Sequence, residues 1–171
     1  MMQMLAAGGM PLLTDFERKP DVDNPRGYCE WEPAKLLPKQ PSLIDQAEGR
    51  AVKIISQLLF SVPKGRIYKL IFMERPLPEV LASQDEMLRR RGKDDSVERA
   101  VLTTAFRDHL KDVIAWLEER DDIPVCRMGY RRVLADPLGS AKTVRGFLAH
   151  DLDVEAMALQ VEPSLYRNKR P

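Results

Sequence analysis

Arg75 and Ser83 stand eight residues apart, with Pro76 and Pro78 between them. Ahead of them runs an almost continuous apolar stretch, Tyr68 to Met73. A guanidinium presents a planar fork of donors that matches two phosphate oxygens. A helix opening near Leu77 aims its unpaired N–H groups and the positive end of its dipole the same way. Ser83, about one and a half turns into that helix, returns its hydroxyl to the same anion if its face is turned there. Three devices then converge on one phosphate. A plainer reading pairs Arg75 with Glu74 or Glu79 and leaves Ser83 as a small packed polar residue. Spacing alone leaves both open.

Other side chains carry less chemistry. Cys29 and Cys126 are far apart and His109 and His150 add no ligand spacing, so no metal is expected and the thiols read as reduced. His109 falls on the apolar side of a long helix and reads as a packed histidine; His150 falls in a short acidic turn at the surface. Arg89 to Arg91, Arg131 with Arg132, and Arg167 with Lys169 and Arg170 form basic clusters. Each reads either as a solvated face or as a pocket for an anion. The net charge of +1 gives no overall pull toward nucleic acid or a membrane surface. No apolar run approaches the roughly 18 residues of a membrane span. With 44% hydrophobic and 31% charged residues in 171, the chain reads as one globular domain of a cytoplasmic protein.

The elements that position these groups follow from periodicity. Met1 to Ala7 reads as a helix stopped by Gly8 and Gly9, with no polar residue to cap its start. Asp15 to Trp31, rich in Pro, Gly, Asp and Asn, reads as a long surface loop. Short helices are expected at Glu32 to Leu37 and Ser42 to Glu48. Strands are expected at Ala51 to Ser56, Tyr68 to Met73 and Ile123 to Met128. Pro78 to Arg90 reads as a helix, and Asp95 with Glu98 opens a longer one to about Arg120. Helices follow at Arg131 to Ala135, Ser140 to Ala149 and Val154 to Gln160. Strands alternating with helices predict a parallel sheet covered on both faces, with ligands outside the carboxyl ends of its strands. Arg75 lies at such an end.

The stretch "FMERPLPEVLAS" resembles the 3′-phosphate-binding segment of sulfotransferases that use 3′-phosphoadenosine 5′-phosphosulfate (PAPS). Arg75 and Ser83 keep that segment's spacing. "NPRGYCEWE", "GYRRVLADP", "GFLAHDLD" and "PSLYRNKR" are similar, in order, to further segments of the bacterial members of that family. Arg131 and Arg132 stand where the family carries an acidic pair. The resemblance implies a three-layer α/β fold of the P-loop NTPase kind with a parallel sheet. It implies PAPS as co-substrate, held by Arg75, Ser83, Tyr130 near the adenosine, and Arg167 in the basic C-terminal end. It implies Glu30 as general base, with Glu32 a rival two residues on, and a sulfuryl acceptor that is an unidentified small molecule or peptide.

No stretch matches the family's "P-[KR]-S-G-T-[ST]" loop, which cradles the 5′-phosphosulfate with backbone N–H groups. "MMQMLAAGG" looks like the helix that would follow that loop. The resemblance therefore implies a single domain over residues 1–171 that is truncated at its N-terminus, without the first strand. A misplaced start, an engineered fragment and a real truncation all fit. Removal of a strand exposes a sheet edge, so self-association is expected. Two other functions stay open: a non-catalytic remnant or interaction module of the same fold, and a nucleotide kinase, which needs a lysine-bearing loop and a metal-binding aspartate.

Overall fold

A computed structural model describes residues 1–15, 17–22, 24–90 and 96–166. Helix α1 spans Met2–Ala7 and strand β1 Leu12–Leu13. After the loop come two 3₁₀ turns, Glu32–Leu36 and Pro41–Ala47, and strand β2, Ala51–Val52. A third 3₁₀ turn, Ser56–Ser61, leads to strand β3, Leu70–Glu74. Helices α2, Leu77–Arg90, and α3, Ser96–Glu119, separate β3 from strand β4, Val125–Gly129. Helices α4, Tyr130–Ala135, α5, Pro137–Leu148, and α6, Val154–Leu159, close the chain ahead of a last 3₁₀ turn, Pro163–Leu165.

The architecture is mixed α/β, as the alternating pattern predicts, and its strands pair in parallel. β1 pairs with β2 and β3 with β4. The expected single sheet is not formed among the described residues; there are two sheets of two strands each. The strand expected at Ala51 to Ser56 is cut to two residues, because its ladder partner β1 is itself only two residues long and Ser56 already starts a 3₁₀ turn. β1 was hidden in the sequence, in the short apolar stretch after the Gly8 and Gly9 stop, where two leucines carry no alternation.

Local chemistry sets the helix ends. Gly8 and Gly9 stop α1: Gly8 N–H donates to Met4 O at 2.9 Å, and Gly9 adopts φ +97°, open only to glycine at little cost. Asp136 caps α5 by accepting from Gly139 N–H at 2.9 Å, with Pro137 in the first turn, so this helix starts three residues before the expected Ser140. Asp153 caps α6 through Glu155 and Ala156 N–H at 3.0 and 2.9 Å, and its own N–H reaches Gly8 O at 3.1 Å.

Two apolar clusters hold these elements. The larger joins Met4 and Leu5 of α1, Met128 of β4, Val133, Ala141, Val144, Leu152 and Met157. The smaller joins Leu13, Trp31, Ala34, Leu37 and Ile44 beneath the first sheet. Arg120 pins the connection into β4. Its side chain is 5% exposed, donates to Val62 O at 2.9 Å, chelates Asp122 at 2.5 and 2.7 Å, and lies 4.8 Å above the Trp116 ring.

Candidate functional site

A cleft of about 1410 Å³ lies between the two sheets. Lys53 borders it beside β2, and Arg75, Tyr130 and His109 border it from the side of the second sheet and α3. Arg75 follows β3 directly, at the end where a parallel strand delivers its side chains to a ligand crevice.

Arg75 belongs to a network built on Glu79. One turn along α2, the Glu79 side chain is only 1% exposed and accepts from three donors. Arg75 Nε lies 3.2 Å from its Oε2; Arg131 Nε and the Tyr166 hydroxyl lie 2.6 and 2.5 Å from its Oε1. The Tyr166 hydroxyl bond contributes most to holding this carboxyl below its ordinary range; burial opposes the shift, and the two arginines outweigh it. Tyr166 stands edge-on to Tyr130, with ring centroids 5.6 Å apart, and the Arg75 guanidinium lies 5.1 and 5.7 Å from the two rings. Glu74, the other partner open to Arg75 in the sequence, takes Arg127 across the ladder at 2.7 Å instead.

So the plain pairing of Arg75 with Glu79 is realised, and it uses one edge of the guanidinium. The Nε–H goes to Glu79; the Nη groups are on the remaining edges of the fork, and Arg75 stays 25% exposed at the cleft. Tyr130 joins Arg75 there. Ser83 is half-buried on α2, one turn beyond Glu79, and does not line the cleft that Arg75 borders. Arg167 lies outside the described residues; its neighbour Tyr166 brings the C-terminal segment to the Arg75 network.

Glu30 sits apart from Arg75, in the loop before the first 3₁₀ turn. It accepts from Lys53 Nζ at 3.0 Å and Arg18 Nη1 at 3.3 Å. Burial pushes its carboxyl toward the neutral form, but the Lys53 and Arg18 bonds outweigh it and hold the carboxyl below its ordinary range. Its rival Glu32 pairs with Lys35. Described residues of the loop contact one another and its end: Asp15 accepts from the Glu32 and Glu17 N–H groups, and Arg18 stacks on Tyr28 at 3.4 Å. His109 packs edge-on against Phe60 and shares a 2.8 Å hydrogen bond with Ser56.

Arg131, Tyr166 and Lys53 were missed as site residues in the sequence. Arg131 carried a signal, a cation standing where the resembled segment is acidic; its complement is the buried Glu79. Tyr166 and Lys53 carried none, because their partners lie 87 and 23 residues away.

Among the described residues, no group of three or more His, Cys, Asp or Glu side chains is placed to hold a metal ion. Among them, too, no helix is long and apolar enough to cross a membrane. Comparison with known proteins finds no matching family model, no matching curated protein and no matching solved structure.

Proposed function

We propose that this chain is a sulfotransferase-family domain that receives the adenosine 3′-phosphate end of PAPS at Arg75 and Tyr130. The observation that carries the reading is the meeting at one cleft wall of a strand-end arginine and an aromatic ring from the segment after β4, with Tyr166 of the C-terminal segment packed against both. Glu79 takes the Nε–H of Arg75 and so orients the guanidinium, leaving its Nη edge for phosphate oxygens. The Tyr130 ring supplies a flat apolar surface suited to a base or ribose. Ser83 contributes on this reading only after a rotation that brings its hydroxyl to the same anion.

Sulfuryl transfer needs an acceptor in line with the departing group and a base for the acceptor proton. Glu30 is the proposed base. Lys53 and Arg18 keep it ionised near neutral pH, which leaves it able to accept a proton and weak as a base. The 5′-phosphosulfate end needs a cradle of backbone N–H groups; the 3′-phosphate end does not, so product binding is the clean test. Arg75→Ala is expected to weaken adenosine 3′,5′-bisphosphate at least about tenfold, close to 1.4 kcal/mol. Unchanged affinity by calorimetry rejects the assignment.

A second reading, an interaction module without catalysis, draws on the Glu79 network itself. A buried carboxylate satisfied by two arginines and a tyrosine is a sufficient structural reason for Arg75. Under this reading adenosine 3′,5′-bisphosphate does not bind at all.

A further inference from the structure

We propose that the cleft between the two sheets is a receptor for one extended peptide strand, paired through its backbone to β2 on one side and β3 on the other. The alternation of a parallel ladder says which groups are involved. Leu70 N–H donates to Pro124 O at 2.9 Å, so Leu70, Phe72 and Glu74 turn their backbone groups toward β4. Ile71 and Met73 turn theirs to the opposite edge. Likewise Ala51 N–H donates to Pro11 O at 2.8 Å and faces β1, which leaves Val52 facing outward. Among the described residues the ladders give β2 and β3 one strand partner each.

Both outward edges border the same cleft. Residues 49–54 and 65–75 line it without a gap. The face of a strand would contribute alternate residues only; an unbroken run marks an edge.

The two edges select the occupant. A helix has already spent its backbone bonds internally, and a small molecule does not present strand-spaced donors and acceptors to Val52 on one side and to Ile71 and Met73 on the other. An extended peptide does both jobs at once, because its successive N–H and C=O groups point alternately to its two sides. To match the five residues of β3 it needs about five residues, roughly 17 Å of strand. Leu5, Met10, Leu110 and Ile114 also border the cleft, so apolar side chains suit it. Arg75 stands at the end of β3, outside the paired stretch, so this proposal and nucleotide binding stand or fall separately.

The test uses the full chain and a capped peptide of alternating valine and isoleucine flanked by glutamates. The expected result is saturable binding with hydrogen-exchange protection of the Val52, Ile71 and Met73 amides. Two further peptides carry backbone N-methyl groups on either alternate set of residues. Because both edges are used, each set is expected to lower affinity at least about tenfold. Loss confined to one set means pairing with a single edge and overturns the proposal. No loss with either set, or no saturable binding of the parent peptide, overturns it as well. Protection of the same amides that rises with protein concentration without peptide makes the occupant a second copy, and also overturns it.

Discussion

Replacing Arg120 with alanine removes the clamp that ties the turn before β3 to the connection before β4. The cost follows from its contacts. The 2.9 Å bond to Val62 O is charge-assisted and largely shielded, so it contributes about 1.5–3 kcal/mol. The 3.5 Å approach to Pro63 O adds little. The Asp122 pair is discounted to at most about 1 kcal/mol, because that carboxylate is 28% exposed and water replaces its partner. The Trp116 stacking adds up to about 1 kcal/mol. The sum is roughly 1.5–5 kcal/mol, centred near 3, which for a chain of 171 residues lowers Tm by about 6–12 °C. Urea denaturation followed by tryptophan fluorescence reads the change directly, since Trp116 lies under the guanidinium. Asp122→Asn serves as the control and is expected to cost distinctly less. An Arg120→Ala loss below about 1 kcal/mol refutes the claim that this arginine fixes the two connections.

Met128→Ala empties the fully buried centre of the larger core cluster and is expected to cost about 2–5 kcal/mol in the same assay; an unchanged urea midpoint contradicts the packing described. Ala149 ends α5 with φ 52°, in the left-handed region. Ala149→Gly is therefore expected to stabilise the fold by about 0.5–1 kcal/mol, and a loss of stability argues against that conformation. Asp15, Glu30, Asp45, Glu79 and Asp122 all have carboxyls held below their ordinary values of 3.8 for Asp and 4.5 for Glu. A lowered folded value stabilises above the unfolded one, and that stability drains away as pH falls through the folded value. The urea midpoint is thus expected to drop below about pH 4.5; constancy down to about pH 3 contradicts the ion pairs.

Much of the fold was legible because its signals are local. The apolar run before Arg75 gave β3 to within two residues. The apolar pattern from Val154 gave α6 to within one residue, and Gly8 with Gly9 gave the stop of α1. Where the partner matters, local signals fail. Valine and isoleucines at Ala51 to Ser56 have strand propensity throughout, but a ladder extends only as far as its neighbour, and β1 stops after Leu13. The site divides the same way. A strand end and an i, i+4 spacing put Arg75 and Glu79 together in the sequence. The convergence of Arg131 and Tyr166 on Glu79 depends on how α4 and the C-terminal turn fold back onto α2, and no spacing rule reaches that far.

Arg75 and Tyr130 are proposed to receive a nucleotide's 3′-phosphate. Calorimetric titration of the unaltered chain with adenosine 3′,5′-bisphosphate and with adenosine 5′-monophosphate isolates that one group. At least about a tenfold preference for the bisphosphate is expected. Equal affinity for the two, or binding of neither, contradicts it.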